Sequence, residues 1–439
     1  MAYCGYIVEV KELRKHSNAD RLQIATFFGN DTIVGLDVKL GDIGIYWPVD
    51  GQLSEDYCNY NNLVRKKDDA GNNIGGYLDP DKRNIKAVKL RGEKSDGLFM
   101  PLSSLDYLSH DELNIGDKID ILNGVEIATK YIPRSNSSDT SSVGKGNRTR
   151  KKKAPISPLF IEHADTEQLA YNLGAFKCGD LIEITLKMHG TSQRTAYLPV
   201  LKGYKKSLLD LILRRDGKPI YDWGYVSGTR RTVLENFDGG FYGGNQFREQ
   251  HSKFFEGKLL KGEEVYYEVV GYVNEESTIM PKGTNSKVDK NFEKKYGKET
   301  VFSYGCQPGE SKAYVYRMTM TNEDGDVVEY TPDYMRYRCE QMGANVVPVF
   351  TRFIIPEQEE LTHREYESAG EYVLNQAELY YDGADPIGNT HVREGVVVRI
   401  INRPKFCALK HKNFAFKVLS GSAIDNADTS LSDDILSEM

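Results

Sequence analysis

Residues 184–194 read ITLKMHGTSQR, and they join the end of an apolar strand to a lysine, a glycine and two hydroxyl side chains. Together with the residues before them they form LIEITLK, in which alternation places Glu183 and Lys187 on one face of a strand and apolar side chains on the other. Lys187 therefore ends a strand whose opposite face belongs to a core, and Gly190 lets the backbone pass close to a ligand. A lysine followed three residues later by a glycine is common, and by itself a strand running into a turn is the simpler explanation.

Two further strands carry a glutamate among apolar residues. EEVYYEVVG, Glu263–Gly271, contains Glu268, and a carboxylate in such a strand is costly to bury unless it is paired or hydrogen-bonded. REGVVVRI, residues 393–400, places Glu394 at the start of a strongly apolar strand. For Glu268, a position on a strand edge facing solvent is the structural alternative.

A pair of lysines follows in ALKHKNFAFKV, residues 408–418. Lys410 and Lys412 lie two residues apart, so on a strand they point the same way, and two like charges side by side repel. A polyphosphate between them would remove the conflict. The alternative is an exposed edge strand that lysines protect from aggregation.

In order and spacing these motifs resemble those of the covalent nucleotidyltransferases, a superfamily of ATP- and NAD-dependent ligases and mRNA capping enzymes. LKMHGTS resembles motif I, EEVYYEVVG motif III, REGVVVRI motif IV and ALKHK motif V. The KxHG form resembles RNA ligases, because DNA ligases and capping enzymes typically carry aspartate where His189 stands. The resemblance spans nearly all of residues 160 to 420. Whether His189 has a role beyond that of a hydrogen-bonded loop residue stays open.

The resemblance implies a role for each matched residue. Lys187 would be the nucleophile that becomes AMP-lysine, with Lys410 and Lys412 neutralising phosphate charge. Glu268 would hold the ribose or a metal-bound water, and Glu394 would engage a divalent cation, Mg²⁺ or Mn²⁺, through water.

Three more positions follow from weaker matches to the same superfamily. VSGTRRTVLEN resembles motif Ia, in which an arginine contacts the nucleotide and the RNA end, and either Arg230 or Arg231 fits. SKAYVYRMTM resembles motif IIIa, in which an aromatic ring stacks on the purine, and Tyr316 is preferred to Tyr314. Gly190 completes the expected nucleotide site. Surface arginines and a core tyrosine are the structural alternatives.

The implied activity is that of an ATP-dependent RNA ligase acting in RNA repair. Its substrate would be RNA with 3′-hydroxyl and 5′-phosphate ends. A nicked duplex, a broken tRNA loop and a single strand all stay open, as does the use of RNA or DNA on each side of the break. Other candidates are a capping-type guanylyltransferase, which would use GTP, a DNA ligase, a non-catalytic RNA- or tRNA-binding adaptor, and a scaffold without a nucleotide site.

The expected fold class is α+β in two domains. Residues 1–133 have short alternating strands with glycine turns, and HSNADRLQIATF resembles the OB-fold tRNA-binding modules of some aminoacyl-tRNA synthetases. An OB-like barrel is therefore expected there, followed by a flexible basic linker at 134–158. A nucleotidyltransferase domain of antiparallel sheets and helices would occupy 159–420, and an acidic tail 421–439. IEHADTEQLAYNLG predicts a helix that ends at Gly174, and FAFKVL predicts a strand.

Composition restricts the class of protein further. The chain of 439 residues has a formal net charge of −7, which argues against a uniformly basic nucleic-acid coat but not against a local basic groove. Its six cysteines include no CxxC pair, which is typical of free thiols in a reducing compartment. No apolar run approaches the ~20 residues that span a bilayer, and no secretory signal is evident, so an intracellular, cytoplasmic protein is expected.

Overall fold

The computed structural model describes most of the chain, and its contacts divide it into two compact units. The described residues are 3–71, 74–131, 154–163, 166–208, 210, 217–230, 232–234, 237 and 246–426, with side chains described up to residue 421. The first unit comprises the described residues of Met1–Arg134, together with Gly283–Thr300 and Asn413–Asn426. The second comprises those of Ser135–Lys282 and Val301–Lys412.

The N-terminal stretch folds into short strands and one short α-helix, α1 (Glu55–Tyr60). Its strands are β1 (Gly5–Glu9), β2 (Leu13–Lys15), β3 (Leu22–Phe27), β4 (Asn30–Gly35), β5 (Ile43–Trp47), β6 (Gly51–Leu53), β7 (Ala87–Leu90), β8 (Glu93–Asp96), β9 (Leu98–Pro101), β10 (Lys118–Ile119), β11 (Ile121–Leu122), β12 (Val125–Glu126) and β13 (Ala128–Lys130).

Longer strands alternate with helices after residue 154. The strands are β14 (Glu167–Gln168), β15 (Leu181–Lys187), β16 (Thr191–Lys205), β17 (Lys218–Gly228), β18 (Glu263–Gly271), β19 (Gly283–Thr284), β20 (Glu299–Thr300), β21 (Ser311–Thr321), β22 (Val327–Glu329), β23 (Asn345–Val346), β24 (Val349–Ile354), β25 (Gly395–Ile400) and β26 (Cys407–Lys412). The helices are α2 (Gln246–Phe255), α3 (Lys290–Tyr296), α4 (Pro332–Met342), α5 (Gln358–His363), α6 (Ala369–Glu378) and α7 (Phe414–Asn426).

The first unit is built around an antiparallel sheet in the order β10-β1-β5-β9. Trp47 and Tyr57 are fully buried in its core, and the indole N–H of Trp47 donates to the Tyr57 hydroxyl at 3.2 Å. The sheet β2-β3-β4 and several two-stranded pairs complete the unit. These described strands do not close into one barrel, so the OB-like barrel stays a prediction.

Two larger sheets form the second unit. One has the order β14-β26-β25-β15-β24, and the other runs β17-β16-β18-β21-β22, with β23 beside β21. On β15, Ile182, Ile184 and Leu186 are buried, and the first two belong to a core that includes residues of α5 and α6. The predicted alternation of this strand is therefore confirmed, and it leaves the face of Lys187 available for a site.

The mixed α+β class is confirmed, but two predicted elements are wrong. The helix predicted to end at Gly174 is replaced by β14 and the 3₁₀ turns Leu169–Tyr171 and Leu173–Ala175, because β14 pairs in parallel with β26. The strand predicted at FAFKVL is the start of α7, whose first two turns bury Phe416 and Leu419. The Asn413 side chain accepts from the Ala415 N–H at 2.7 Å, which caps this helix.

The predicted domain ranges also differ from the compact units. Gly283–Thr300 and Asn413–Asn426 belong to the first unit although they lie within or just after the predicted catalytic range. Within that unit, α7 packs on β19, so that a Cβ on Gly283 would lie 3.0 Å from the Leu419 Cβ. Most of the predicted linker, 134–153, and residues 427–439 of the predicted tail lie outside the described residues. Among the described helices, none is long and apolar enough to cross a membrane.

We expect a buried histidine to make the stability of the second unit depend on pH. His251 of α2 lies against Ser311, with Nε2 and Oγ at 2.9 Å, and burial lowers its pKa to about 4. In the unfolded chain His251 has a pKa of ~6.5, so between pH ~6.5 and 4 it binds a proton that it does not bind in the folded chain. Stability is therefore fully present above pH ~6.5 and falls by up to ~3 kcal/mol as the pH drops toward 4.

Denaturant unfolding at a series of pH values would measure this effect. Replacing His251→Gln should flatten the decline in the free energy of unfolding between pH 6.5 and 4.5. His363, an exposed histidine at the end of α5, supplies the control variant His363→Gln, which should keep the wild-type slope. Equal slopes for wild type and His251→Gln would contradict the prediction.

Candidate active site

A cavity of about 580 Å³ lies in the second unit, and both of its large sheets line it. Lys187 ends β15 on one side, while Ser192 of β16, Glu268 of β18 and Tyr316 of β21 line the other. Arg230 also lines the cavity. The structure thus brings together four of the residues predicted from separate motifs, namely Lys187, Arg230, Glu268 and Tyr316.

The amine of Lys187 is paired with a buried carboxylate. Its Nζ lies 2.8 Å from Oε1 of Glu394, which immediately precedes β25 and is 1% exposed. The pairing follows from the antiparallel register, in which Lys187 faces Gly395 across the ladder. Lys412 Nζ lies 3.8 Å from the same oxygen, so two of the predicted cations flank one carboxylate.

The predicted lysine pair is only partly assembled around that carboxylate. Lys410 and Lys412 are two residues apart on β26, opposite Val397 and Gly395 of β25. Lys412 is buried beside Glu394, whereas Lys410 is half-buried and is not among the described residues that line the cavity.

Glu268 holds the loop that follows the lysine. Its Oε1 accepts the Gly190 N–H at 3.1 Å. A Cβ on Gly190 would lie 2.3 Å from the Val269 carbonyl oxygen, so the close approach of this loop to β18 requires glycine. Glu268 therefore both lines the cavity and anchors the loop that carries Lys187.

His189 is buried in the same loop and is held from two sides. Its backbone N–H donates to the Tyr304 hydroxyl at 2.7 Å, and its ring meets the edge of Phe302 at 4.6 Å between centroids. Burial lowers the pKa of His189 well below its usual value, and Lys187 and Lys412 add to the effect. The imidazole is therefore neutral at physiological pH, with Nδ1 3.8 Å from Glu394 Oε2.

Tyr316 lies on the opposite sheet, where its hydroxyl contacts the Ser192 hydroxyl at 3.1 Å. The neighbouring Arg317 and His163 also line the cavity, and they contact each other at 3.0 Å between Nη1 and Nδ1. Neither was predicted from the sequence. An arginine within the apolar strand SKAYVYRMTM is the signal that could have indicated Arg317, since a buried guanidinium needs partners.

The backbone oxygen of Arg230 accepts the His163 N–H at 3.1 Å. This hydrogen bond connects the segment before β14 to the segment after β17 at the cavity wall. Arg231, the other member of the predicted arginine pair, lies outside the described residues. The choice between the two arginines therefore stays open.

Two buried acidic residues, Glu183 and Glu394, differ in their fit to a divalent cation. Glu183 is held by Arg336 at 2.8 Å and Arg352 at 2.5 Å. Glu394 differs, because among the described residues its buried oxygens face amines and an imidazole and no arginine: Oε1 lies 2.8 Å from Lys187 Nζ, and Oε2 lies 3.8 Å from His189 Nδ1. The described part of the chain also contains no group of three acidic, histidine or cysteine side chains that could hold a metal. A cation that keeps most of its water ligands, as Mg²⁺ does, fits this donor set.

The arrangement suits phosphoryl transfer to an amine. It presents a lysine at the wall of a cavity large enough for a nucleotide and pairs that lysine with a buried carboxylate, which a second lysine also approaches. The opposite wall offers an aromatic ring and hydroxyl groups.

Similarity to known proteins is found among solved structures, at the level of the fold. No protein-family model matches the chain, and no curated protein matches its sequence. Among solved structures, the RNA ligase of Naegleria gruberi in a lysine-to-methionine mutant with AMP and Mn is 17% identical, with a TM-score of 0.56, covering 94% of this chain and 97% of that one. The same ligase with PPi is 16% identical at a TM-score of 0.56, with 94% and 97% covered.

A glutamate-to-alanine mutant of that ligase with ATP and Mn is 18% identical, with a TM-score of 0.56 over 94% of this chain and 98% of that chain. Nearly the whole chain is therefore similar in fold to an RNA ligase. The resemblance predicted from the motifs is confirmed at the level of the fold.

Proposed function

We propose that this protein is an ATP-dependent RNA ligase that works through a covalent lysyl-AMP intermediate. The observation that carries the proposal is the position of Lys187, which lines a nucleotide-sized cavity and pairs with the buried Glu394. The similarity in fold to an RNA ligase over 94% of the chain supports the same conclusion. The solved neighbours contain ATP, AMP or PPi, the substrate and products that this chemistry requires.

In the first step, the Lys187 amine attacks the α-phosphorus of ATP. A phosphorus–nitrogen bond forms, the bond to the bridging oxygen of the β-phosphate breaks, and pyrophosphate leaves. An ammonium group has no lone pair for this attack, so the ion pair with Glu394 must first separate and the partly exposed amine must release its proton to solvent. Glu394 lies between Lys187 and Lys412, so its carboxylate can then pair with the Lys412 amine instead.

The second and third steps seal the RNA. An oxygen of the RNA 5′-phosphate attacks the phosphorus of lysyl-AMP, which frees Lys187 and leaves AMP joined to the RNA end through a pyrophosphate linkage. The 3′-hydroxyl of the other end then attacks the RNA phosphate and expels AMP. In all three steps the protein positions groups and neutralises charge.

Glu394 is the residue that would hold Mg²⁺ or Mn²⁺, mostly through water, and Glu268 is the second candidate. A bound divalent cation would neutralise phosphate charge as it develops. Lys412 and Lys410 add fixed positive charge from β26.

The remaining residues of the cavity recognise the nucleotide in this proposal. Tyr316 stacks on the purine, Glu268 binds the ribose while it anchors Gly190, and Arg230 contacts the phosphate or the RNA end. The cavity presents these groups from two different strands and a loop, so that AMP bound between them would be oriented toward Lys187.

The first unit is proposed to bind RNA beside the break. The stretch HSNADRLQIATF and the strand pattern support an OB-type module, which binds nucleic acid through backbone contacts and base stacking. A role in RNA repair, with 3′-hydroxyl and 5′-phosphate ends as substrate, follows from the same proposal.

A pulse-chase assay tests the function. The protein is first freed of bound AMP, then incubated with Mg²⁺ and α-labelled ATP or GTP, and resolved by denaturing electrophoresis. We expect label on the protein from ATP only. A chase with unlabelled 5′-phosphorylated RNA should move the label to RNA, and a 3′-hydroxyl acceptor should release it as AMP.

Three outcomes would redirect the proposal. Protein labelled from GTP would indicate capping chemistry, and transfer of AMP to DNA ends alone would indicate a DNA ligase. If no label appears while a control ligase is active, the covalent mechanism is wrong and an RNA-binding adaptor becomes the better explanation.

A further inference from the structure

We propose that Tyr304 is a positioning residue. It holds the loop of residues 187–190 so that Lys187 is placed for attack on ATP. This inference rests on the proposed function. Its starting point is the hydrogen bond in which the Tyr304 hydroxyl accepts the His189 N–H at 2.7 Å, two residues after the lysine. None of the sequence motifs includes Tyr304.

The loop is held by side chains from three separate segments. Glu394 pairs with the Lys187 amine, Tyr304 binds the backbone of His189, and Glu268 binds the backbone of Gly190. The two backbone anchors, on His189 and Gly190, remain when the Lys187–Glu394 pair separates, and they leave the loop little freedom to move away from the cavity. Because near-attack geometry contributes much of the rate in phosphoryl transfer, loosening one anchor should slow the chemistry.

Tyr304 is itself fixed by unusual local structure. It is 1% exposed and has a positive φ of 50°, in the left-handed region that is costly for a non-glycine residue. The following turn residue, Gly305, lies so close to Gly388 that a Cβ on Gly388 would be 2.3 Å from the Gly305 nitrogen. Buried residues with a strained backbone conformation are often found at functional sites.

A buried aromatic cluster connects Tyr304 to the segment of Glu394. The ring of Tyr304 meets the edge of His391 at 4.5 Å between centroids, and Phe302 touches both His391 and His189, at 5.2 and 4.6 Å. His391 lies three residues before Glu394. The lysine loop and the carboxylate that pairs with it are therefore held by the same cluster.

Proton transfer by Tyr304 can be set aside on physical grounds. Burial raises the pKa of its hydroxyl well above the usual value, and the charges of Glu394, Asp385 and Glu268 raise it further. The group therefore stays a neutral phenol at physiological pH, and it acts by holding the backbone.

The variant Tyr304→Phe tests this role because it keeps the ring contacts and removes only the hydroxyl. Single-turnover formation of lysyl-AMP should be measured by rapid quench over a range of ATP concentrations. We expect the maximal rate to fall roughly tenfold, since a buried N–H loses its acceptor, while half-saturating ATP changes less than about twofold.

Tyr267 supplies the matched control. It is also fully buried, and its hydroxyl contacts the Thr195 hydroxyl at 2.9 Å. Tyr267→Phe should lower thermal stability to a similar extent and keep the wild-type maximal rate. The role of Tyr304 is wrong if Tyr304→Phe reacts at the wild-type rate, if only its ATP requirement rises, or if Tyr267→Phe slows the reaction equally.

Gly388→Ala provides a second route should Tyr304→Phe fail to fold. It displaces the turn after Tyr304 without removing the hydroxyl, and the maximal rate should again fall. A wild-type rate in a folded Gly388→Ala protein would overturn the inference. Absence of lysyl-AMP in the wild-type protein would instead overturn the proposed function, and this inference with it, so the two failures are distinguishable.

Discussion

Replacing Lys187 by alanine is expected to abolish labelling of the protein by α-labelled ATP, to below about one thousandth of the wild-type level. The covalent bond to AMP needs the Nζ atom, and no other described lysine lies at 2.8 Å from Glu394. Lys187→Arg should be equally inactive, because an arginine stays protonated and its guanidinium is not a nucleophile at this pH.

A second lysine controls for general effects of charge. Lys312 lies on β21 and pairs with Glu310 at 3.2 Å on the surface, so Lys312→Ala should label like wild type. Lys187→Ala should nevertheless seal RNA that already carries AMP on its 5′-phosphate, because that step no longer needs the lysine bond. Label retained in Lys187→Ala would show that another residue is the nucleophile.

The second large effect is expected for Glu394→Gln. The substitution keeps the shape of the side chain but removes the charge that faces Lys187 and Lys412. Lysyl-AMP formation should fall roughly 100-fold, and the Mg²⁺ concentration needed for half of the remaining rate should rise. Leaving two lysines around a neutral amide should also destabilise the second unit by ~3 kcal/mol.

Glu263→Gln separates loss of stability from loss of chemistry. Glu263 is fully buried and pairs with Arg338 at 2.8 Å, and it does not line the cavity among the residues described. Both variants should be assayed below their unfolding temperatures. The role of Glu394 is contradicted if Glu263→Gln loses as much activity as Glu394→Gln, or if the Mg²⁺ requirement of Glu394→Gln equals that of wild type.

Local sequence was sufficient for the strands that carry the site. Alternation predicted β15 and its apolar face, because side chains alternate between the two faces of a strand, and EEVYYEVVG predicted β18 at its observed bounds, although β18 is buried on both faces. The mixed α+β class followed from the same patterns. The motif order indicated the similarity to RNA ligases that the comparison of folds confirms.

Local sequence failed where distant partners decide the structure. FAFKVL has β-forming residues, yet it starts a helix because Asn413 caps it and its apolar side chains pack on β19 of the same unit. IEHADTEQLAYNLG, residues 161–174, predicts a helix, but pairing with β26 holds Glu167 and Gln168 as a strand. In both places long-range burial and pairing outweigh the propensity of a few residues.

The sequence by itself determined which residues could perform the chemistry, since a lysine, glutamates and a tyrosine at strand positions are visible in one dimension. Only the tertiary structure decided which of them meet. The register of β15 with β25 places Glu394 beside Lys187, and the fold brings Tyr304 to the backbone of His189. These contacts join segments more than a hundred residues apart, and hydrogen bonds and ion pairs of that range leave no periodic pattern in the sequence.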